Sequence, residues 1–171
     1  QVRSEALNLP IEPEEIDAYE VGFKTARNNL RFEIAAFYYE YENLNVSLTV
    51  PNPSCAGLPT CNAITVVGNA PEATVKGVDA QLVYSPIDRL NLTIGGSYLK
   101  ARYGDFANAI GVGISANGLT NVTGQTQDWS GQQMARAPDL TLQMSADYTV
   151  PLLGGDLKLA SNLVYSDSYV I

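Results

Sequence analysis

The sequence predicts an all-β protein, an antiparallel up-and-down meander of about six long strands that forms part of a transmembrane β-barrel wall. Three observations carry this. Asp139 to Pro151 alternates apolar and polar residues without a break. Short turns and long loops alternate along the whole chain. Aromatic residues fall at both ends of the aliphatic stripes.

In the first of these, Leu140, Leu142, Met144, Ala146 and Tyr148 share one face, and Thr141, Gln143, Ser145, Asp147 and Thr149 the other. Side chains alternate across a strand with period 2, whereas a helix would mix the two sets.

The remaining elements follow in order. Residues 1–15 carry Pro10, Pro13 and four acids and read as an exposed lead-in. Ile16 to Ala26 is a strand with Tyr19, Val21 and Phe23 on one face and Glu20, Gly22 and Lys24 on the other. Arg27-Asn28-Asn29 is a short turn, since Asn tolerates the left-handed backbone that tight turns need. Leu30 to about Val50 is a second strand, apolar at Leu30, Phe32, Ile34, Ala36 and Tyr38; from Phe37 to Tyr41 aromatics occupy both faces. Residues 51–72 form a long loop, interrupted by a short strand near Ala63–Val67. Ala73 to Tyr84 and Leu90 to Tyr103 are the third and fourth strands, joined by a turn at 85–89. Residues 104–138 form the longest loop, rich in Gly, Asn, Ala and Gln, with room for some structure of its own. The strand at 139–151, a turn at 152–155 and a strand at 156–166 complete the meander.

Three strands leaving short turns share one spacing: Leu30 to Tyr38, Leu90 to Tyr98 and Leu157 to Tyr165. Eight tilted steps span roughly 20 Å of membrane normal, near the apolar band of an outer-membrane barrel. Phe23, Tyr84 and Tyr148 close the stripes at the short-turn ends. Tyrosine favours a membrane interface because its ring is apolar while its hydroxyl stays wet. A soluble β-rich binding module also alternates, but its strands typically run about 5–6 residues.

Composition excludes several function classes. The 171 residues have net charge −8 and no His. No basic patch is available to neutralise phosphate, which argues against nucleic acid. The commonest metal ligand and general base is missing. The acids lie at turns, in the lead-in or on the polar face, so no catalytic, cofactor or metal site is expected and the chain does not read as an enzyme. Glu12-Pro13-Glu14-Glu15 is the one Ca²⁺ candidate, better read as solvated charge. Cys55 and Cys61, the two cysteines, suit a short disulfide-closed loop in an oxidising compartment. There is no apolar run long enough for a transmembrane helix.

Four stretches resemble the β-barrel of TonB-dependent outer-membrane receptors. They are Ile11 to Lys24 (IEPEEIDAYEVGFK), Ala36 to Leu44 (AFYYEYENL), Asn69 to Asp79 (NAPEATVKGVD), and Arg136-Ala137-Pro138 leading into Tyr148. Each is weak alone, but their order and spacing are specific, and they cover nearly the whole chain. The resemblance implies a protein of the Gram-negative outer membrane that takes up a scarce nutrient, such as an iron–siderophore, a cobalamin or an oligosaccharide. Its partners would be membrane lipid, a small-molecule substrate and the TonB complex, reached through an N-terminal region outside these residues. It implies a 22-stranded barrel around a plug, of which residues 1–171 are a part that would not transport alone; six strands with two unpaired edges and an uncovered apolar face would self-associate in isolation.

Short turns would face the periplasm, and the loops 51–72 and 104–138 the outside. Ligand candidates are therefore Arg102, Tyr103, Asp105, Phe106, Asp128, Trp129 and Arg136. The lone Trp129 leads them, against the alternative that it packs inside its own loop. A passive porin or adhesin-type barrel is the competing function, separable only by a plug and TonB box.

Overall fold

A computed structural model describes residues 11–52, 54, 63–114 and 121–170. The strands are β1 (Glu15–Arg27), β2 (Leu30–Val50), β3 (Ile64–Tyr84), β4 (Leu90–Tyr103), β5 (Ala109–Ile114), β6 (Asn121–Gln127), β7 (Leu140–Leu152) and β8 (Gly155–Ser166). Six form one sheet in the order β1-β2-β3-β4-β7-β8, and β5-β6 form a separate hairpin. In sequence the six neighbours are consecutive apart from the β5–β6 excursion, so the sheet is the antiparallel meander that the alternation predicts.

The chain divides into two compact units. Unit 2 (18–39, 75–101 and 133–171) holds the short turns. Within it Leu90 pairs with Tyr148, Ile94 with Met144 and Tyr98 with Leu140. Met144 also pairs with Leu163, and Leu142 with Tyr165. These registers put the apolar stripes of β4, β7 and β8 side by side. On the inner strands the stripe residues Leu90, Leu92, Leu140 and Leu142 are half-buried by their neighbours, while Tyr98 at 49 % and Met144 at 42 % remain exposed, as does Leu163 on the edge strand at 63 %. A water-soluble sheet buries such a face.

The opposite face is polar and paired. Lys24 Nζ lies 3.3 Å from Glu33, and Arg31 Nε donates to the same carboxylate at 2.8 Å. The aromatics that blur the pattern of β2 belong here: Phe37 and Tyr39 stack with centroids 5.3 Å apart, and Tyr39 Oη donates to Glu20.

The short turns are built from left-handed residues. Asn28 has φ 47°, and Leu153 and Gly154 have φ 53° and 84°. Two consecutive positive φ values between the paired Leu152 and Gly155 match the twist of a two-residue hairpin. The turns are also tied together: Ser85 N donates to Asn29 O at 2.8 Å, and Asn29 Nδ2 returns a bond to Ser85 O at 3.0 Å. Arg89 reaches Asp156 at 3.7 Å.

Unit 1 (1–17, 40–74 and 102–132) has a small packed core of Leu44, Val46, Ala70, Ala73, Tyr103, Phe106 and Ala109. Here the structure corrects one boundary. β3 begins at Ile64 rather than Ala73, which takes residues 64–72 out of the expected loop 51–72. Ile64, Thr65, Val66 and Val67 are β-branched and favour a strand. Asn69-Ala70-Pro71 reads as a turn but is held extended by the Asn69 side chain. Its Nδ2 donates to Asn43 O at 2.7 Å and Glu12 O at 3.1 Å, and its Oδ1 accepts from Glu12 N at 2.9 Å. Asn43 itself has φ 53°, and its carbonyl is taken by that side chain.

The loop 104–138 is likewise ordered where described. It contains β5 and β6, whose register shifts at Gly111/Val112. Cys55 and Cys61 lie outside the described residues.

Candidate functional site: the loop unit

Leaving β4, the chain is stitched to the far end of the same loop. Within unit 1, Tyr103 N donates to Gln132 O at 3.1 Å, Gly131 N to Tyr103 O at 3.0 Å and Trp129 N to Phe106 O at 3.0 Å. These backbone bonds gather three rings. Centroids of Tyr103 and Phe106 are 5.8 Å apart, and Trp129 lies 5.7 Å from each. The Phe106–Trp129 pair is edge-to-face at 87°, a preferred arrangement of ring quadrupoles.

Tyr103 and Phe106 are buried while Trp129 stays half-exposed. Its Nε1 donates to Gln127 Oε1 at 3.0 Å, and Gln127 Nε2 donates to Val112 O at 3.0 Å. Gly111 lies under this bridge: a Cβ there would come within 3.1 Å of Gln127 Oε1 and 3.5 Å of Trp129 Cζ2. The indole is thus held at its edge by Gln127 and packed against both Tyr103 and Phe106.

Asp128 anchors the turn. Its Oδ1 accepts from Ser130 N at 2.9 Å, and Ser130 Oγ accepts from Phe106 N at 2.9 Å. Hydrogen bonds from the Ser130 side chain and then its backbone hold the Asp128 carboxyl below its ordinary range. A carboxylate with a lowered folded-state pKa contributes stability at neutral pH and loses it as pH falls through the lowered value. Acidification below the ordinary aspartate range therefore loosens this turn. Emission from Trp129, the one tryptophan, reports it. Asp128→Asn is expected to remove the pH response; an identical response in that variant would refute the assignment.

Of the sequence-derived candidates, Tyr103, Phe106, Asp128 and Trp129 come together. Arg102 precedes Tyr103 on β4. Asp105 lies exposed between Tyr103 and Phe106. Arg136 belongs to unit 2, where it has φ 59° and donates its N–H to Val170 O at 2.8 Å. Trp129 packs against Tyr103 and Phe106 and stays half-exposed. Sequence reasoning missed Gln127 and Ser130. Asp128-x-Ser130 has the spacing of an Asx turn, a signal available in advance.

A second feature of unit 1 is a cleft of about 330 Å³ bordered by Glu15, Asp17, Glu40, Glu42 and Glu72. Among the described residues no three His, Cys, Asp or Glu converge to hold a metal. Glu14 of the lead-in accepts from Asn45 N at 3.0 Å instead. The described residues of unit 1 carry nine acids against Arg102, whereas unit 2 has eight of each sign. The negative charge of the chain is concentrated in the loop unit.

Comparison with known proteins agrees with this architecture. The family model described as TonB dependent receptor-like, beta-barrel matches residues 4–170. No curated protein matches the chain. The matched family consists of receptors and transporters rather than enzymes. A match over almost every residue, on a six-stranded antiparallel sheet with a folded loop unit, shows that the chain belongs to the TonB-dependent receptor β-barrel family of the Gram-negative outer membrane.

Proposed function

We propose that this chain is part of the wall and mouth of a receptor that takes up a scarce small nutrient, energised through the TonB complex. Iron–siderophores, cobalamins and oligosaccharides are the substrate classes of this reading. Short turns face the periplasm and the loop unit faces outside. The observation that carries the reading is the pre-built aromatic cluster of the loop unit, in which Trp129 stays half-exposed. A fixed aromatic surface binds at low entropic cost. The charge of the unit favours neutral or cationic ligands over anionic ones, by steering and by repulsion.

The test uses the full-length receptor in cells. Trp129→Ala is expected to weaken substrate binding about 10-fold or more, the scale of an aromatic anchor, with unchanged barrel assembly. Trp129→Phe retains most of it. Uptake that continues without the TonB complex would instead indicate a passive porin; unaltered binding by Trp129→Ala would remove this surface from the account. We also propose that Cys55 and Cys61 form a disulfide, tested by alkylation before and after reduction.

A further inference from the structure

The apolar face of unit 2 is interrupted by a groove. A shallow groove of about 370 Å³ runs over Ala80 and Gly96, bordered by Phe32, Leu82, Ile94 and Leu142. Its floor is low because these two positions lack large side chains. Val78 and Tyr98 border its loop-side end.

Just beyond that end are two lysines. A Cβ on Gly77 would lie 3.3 Å from Leu99 Cα and meet the Tyr98 carbonyl. This sets Gly77 against Leu99, just as Gly96 meets Thr141 O while paired with Leu142. Antiparallel counting then places Lys76 against Lys100. Both alternate onto the face of Val78 and Tyr98, and both are exposed.

Neither lysine has an ion pair among the described residues. The wall carboxylates Glu20, Glu33, Asp79 and Asp147 alternate onto the other face; Glu40 alternates onto the face of Tyr38 and Lys76, but has a partner other than either lysine. Like charges directly opposite each other on neighbouring strands repel. A charge on a lipid face is costly, and a lysine lessens the cost by extending its ammonium to the interface. Two such residues over one groove call for a counter-charge from outside the sheet. A second copy of this face would bring the same two lysines and does not supply it.

We propose that this face binds one lipid bearing a phosphate monoester, with the phosphate between Lys76 and Lys100 and one acyl chain in the groove over Ala80 and Gly96. A monoester carries close to two negative charges at neutral pH and so matches two ammonium groups; a phosphodiester carries one. The leaflet, the one beside the loops, rests on the orientation proposed above.

The experiment is native mass spectrometry of the full-length receptor in detergent, offered phosphatidic acid, phosphatidylglycerol or phosphatidylcholine in turn, and inorganic phosphate as competitor. The wild type is expected to retain phosphatidic acid about 10-fold better than phosphatidylcholine. Lys76→Gln with Lys100→Gln abolishes that preference, and Lys76→Arg with Lys100→Arg keeps it. Ala80→Trp fills the groove, leaves both charges and lowers retention. Inorganic phosphate does not displace the lipid.

Unchanged preference in the glutamine pair, equal retention of phosphatidylcholine by the wild type, or displacement by inorganic phosphate would each overturn the proposal. Nutrient uptake is not part of the readout. A receptor that retains the lipid but takes up no nutrient contradicts the functional reading alone.

Discussion

Replacing Met144 by Arg destabilises the folded barrel in lipid by about 2–4 kcal/mol, the cost of a cation near the bilayer midplane on a lipid face. Met144 pairs with Ile94, the midpoint of the stripe from Leu90 to Tyr98, and with Leu163 on its other side. It is 42 % exposed within the chain. In water such a position tolerates Arg within about 0.5 kcal/mol, so the two solvents give clearly different outcomes. Gln143→Arg, one residue away on the polar face, changes stability little. Denaturant titration of the full receptor in lipid vesicles measures both. Equal effects at 143 and 144 would show that period 2 does not decide which side meets lipid.

The second large effect is at Gly77. A Cβ here would overlap the Tyr98 carbonyl oxygen, approach Phe37 Cζ to 2.8 Å and reach within 3.3 Å of Leu99 Cα. The Phe37 ring can swing away, but a backbone carbonyl and a Cα on the neighbouring strand cannot. Gly77→Ala is therefore expected to force β3 and β4 apart and cost about 1–3 kcal/mol, with lower yield of assembled barrel. Adding Phe37→Leu relieves only the ring contact and recovers a minor part. Full recovery in the double variant would mean that the ring, not the backbone, demands glycine. Gly154 makes a useful contrast: its φ of 84° demands glycine for backbone reasons, with nothing within 4 Å.

The wall was legible because period 2 is a local property. β1, β4, β7 and β8 could be read from alternation to within a residue or so, and Asn28-Asn29 marked its turn. Legibility failed where a side chain replaced local pattern. Asn69-Ala70-Pro71 carries turn residues, yet the Asn69 amide joins three segments and keeps the strand going. Phe37 and Tyr39 confuse the stripe of β2 because they stack on the polar face, over Gly77 and toward Glu20. Ala109-Ile110-Gly111-Val112 looks like loop because Gly111 must be small beneath Gln127 and Trp129. The ligand candidates were chosen by residue type. Tyr103, Asp128 and Trp129 meet because backbone bonds between 103–106 and 129–132 bring them together, which no local pattern announces. Arg136 was chosen for its charge, but what marks it in the structure is its left-handed backbone and its bond to Val170.

The central claim is that the even-numbered face of β7 meets lipid. Single spin labels at each position from 140 to 148, in the full receptor in bilayers, measure it through collisions with oxygen and with a water-soluble nickel chelate. The account predicts alternation: oxygen reaches labels at Leu140, Leu142, Met144, Ala146 and Tyr148, and the chelate reaches Thr141, Gln143, Ser145 and Asp147. Even positions shielded from both reagents, as in a packed protein core, or open to the chelate, as in water, would contradict it.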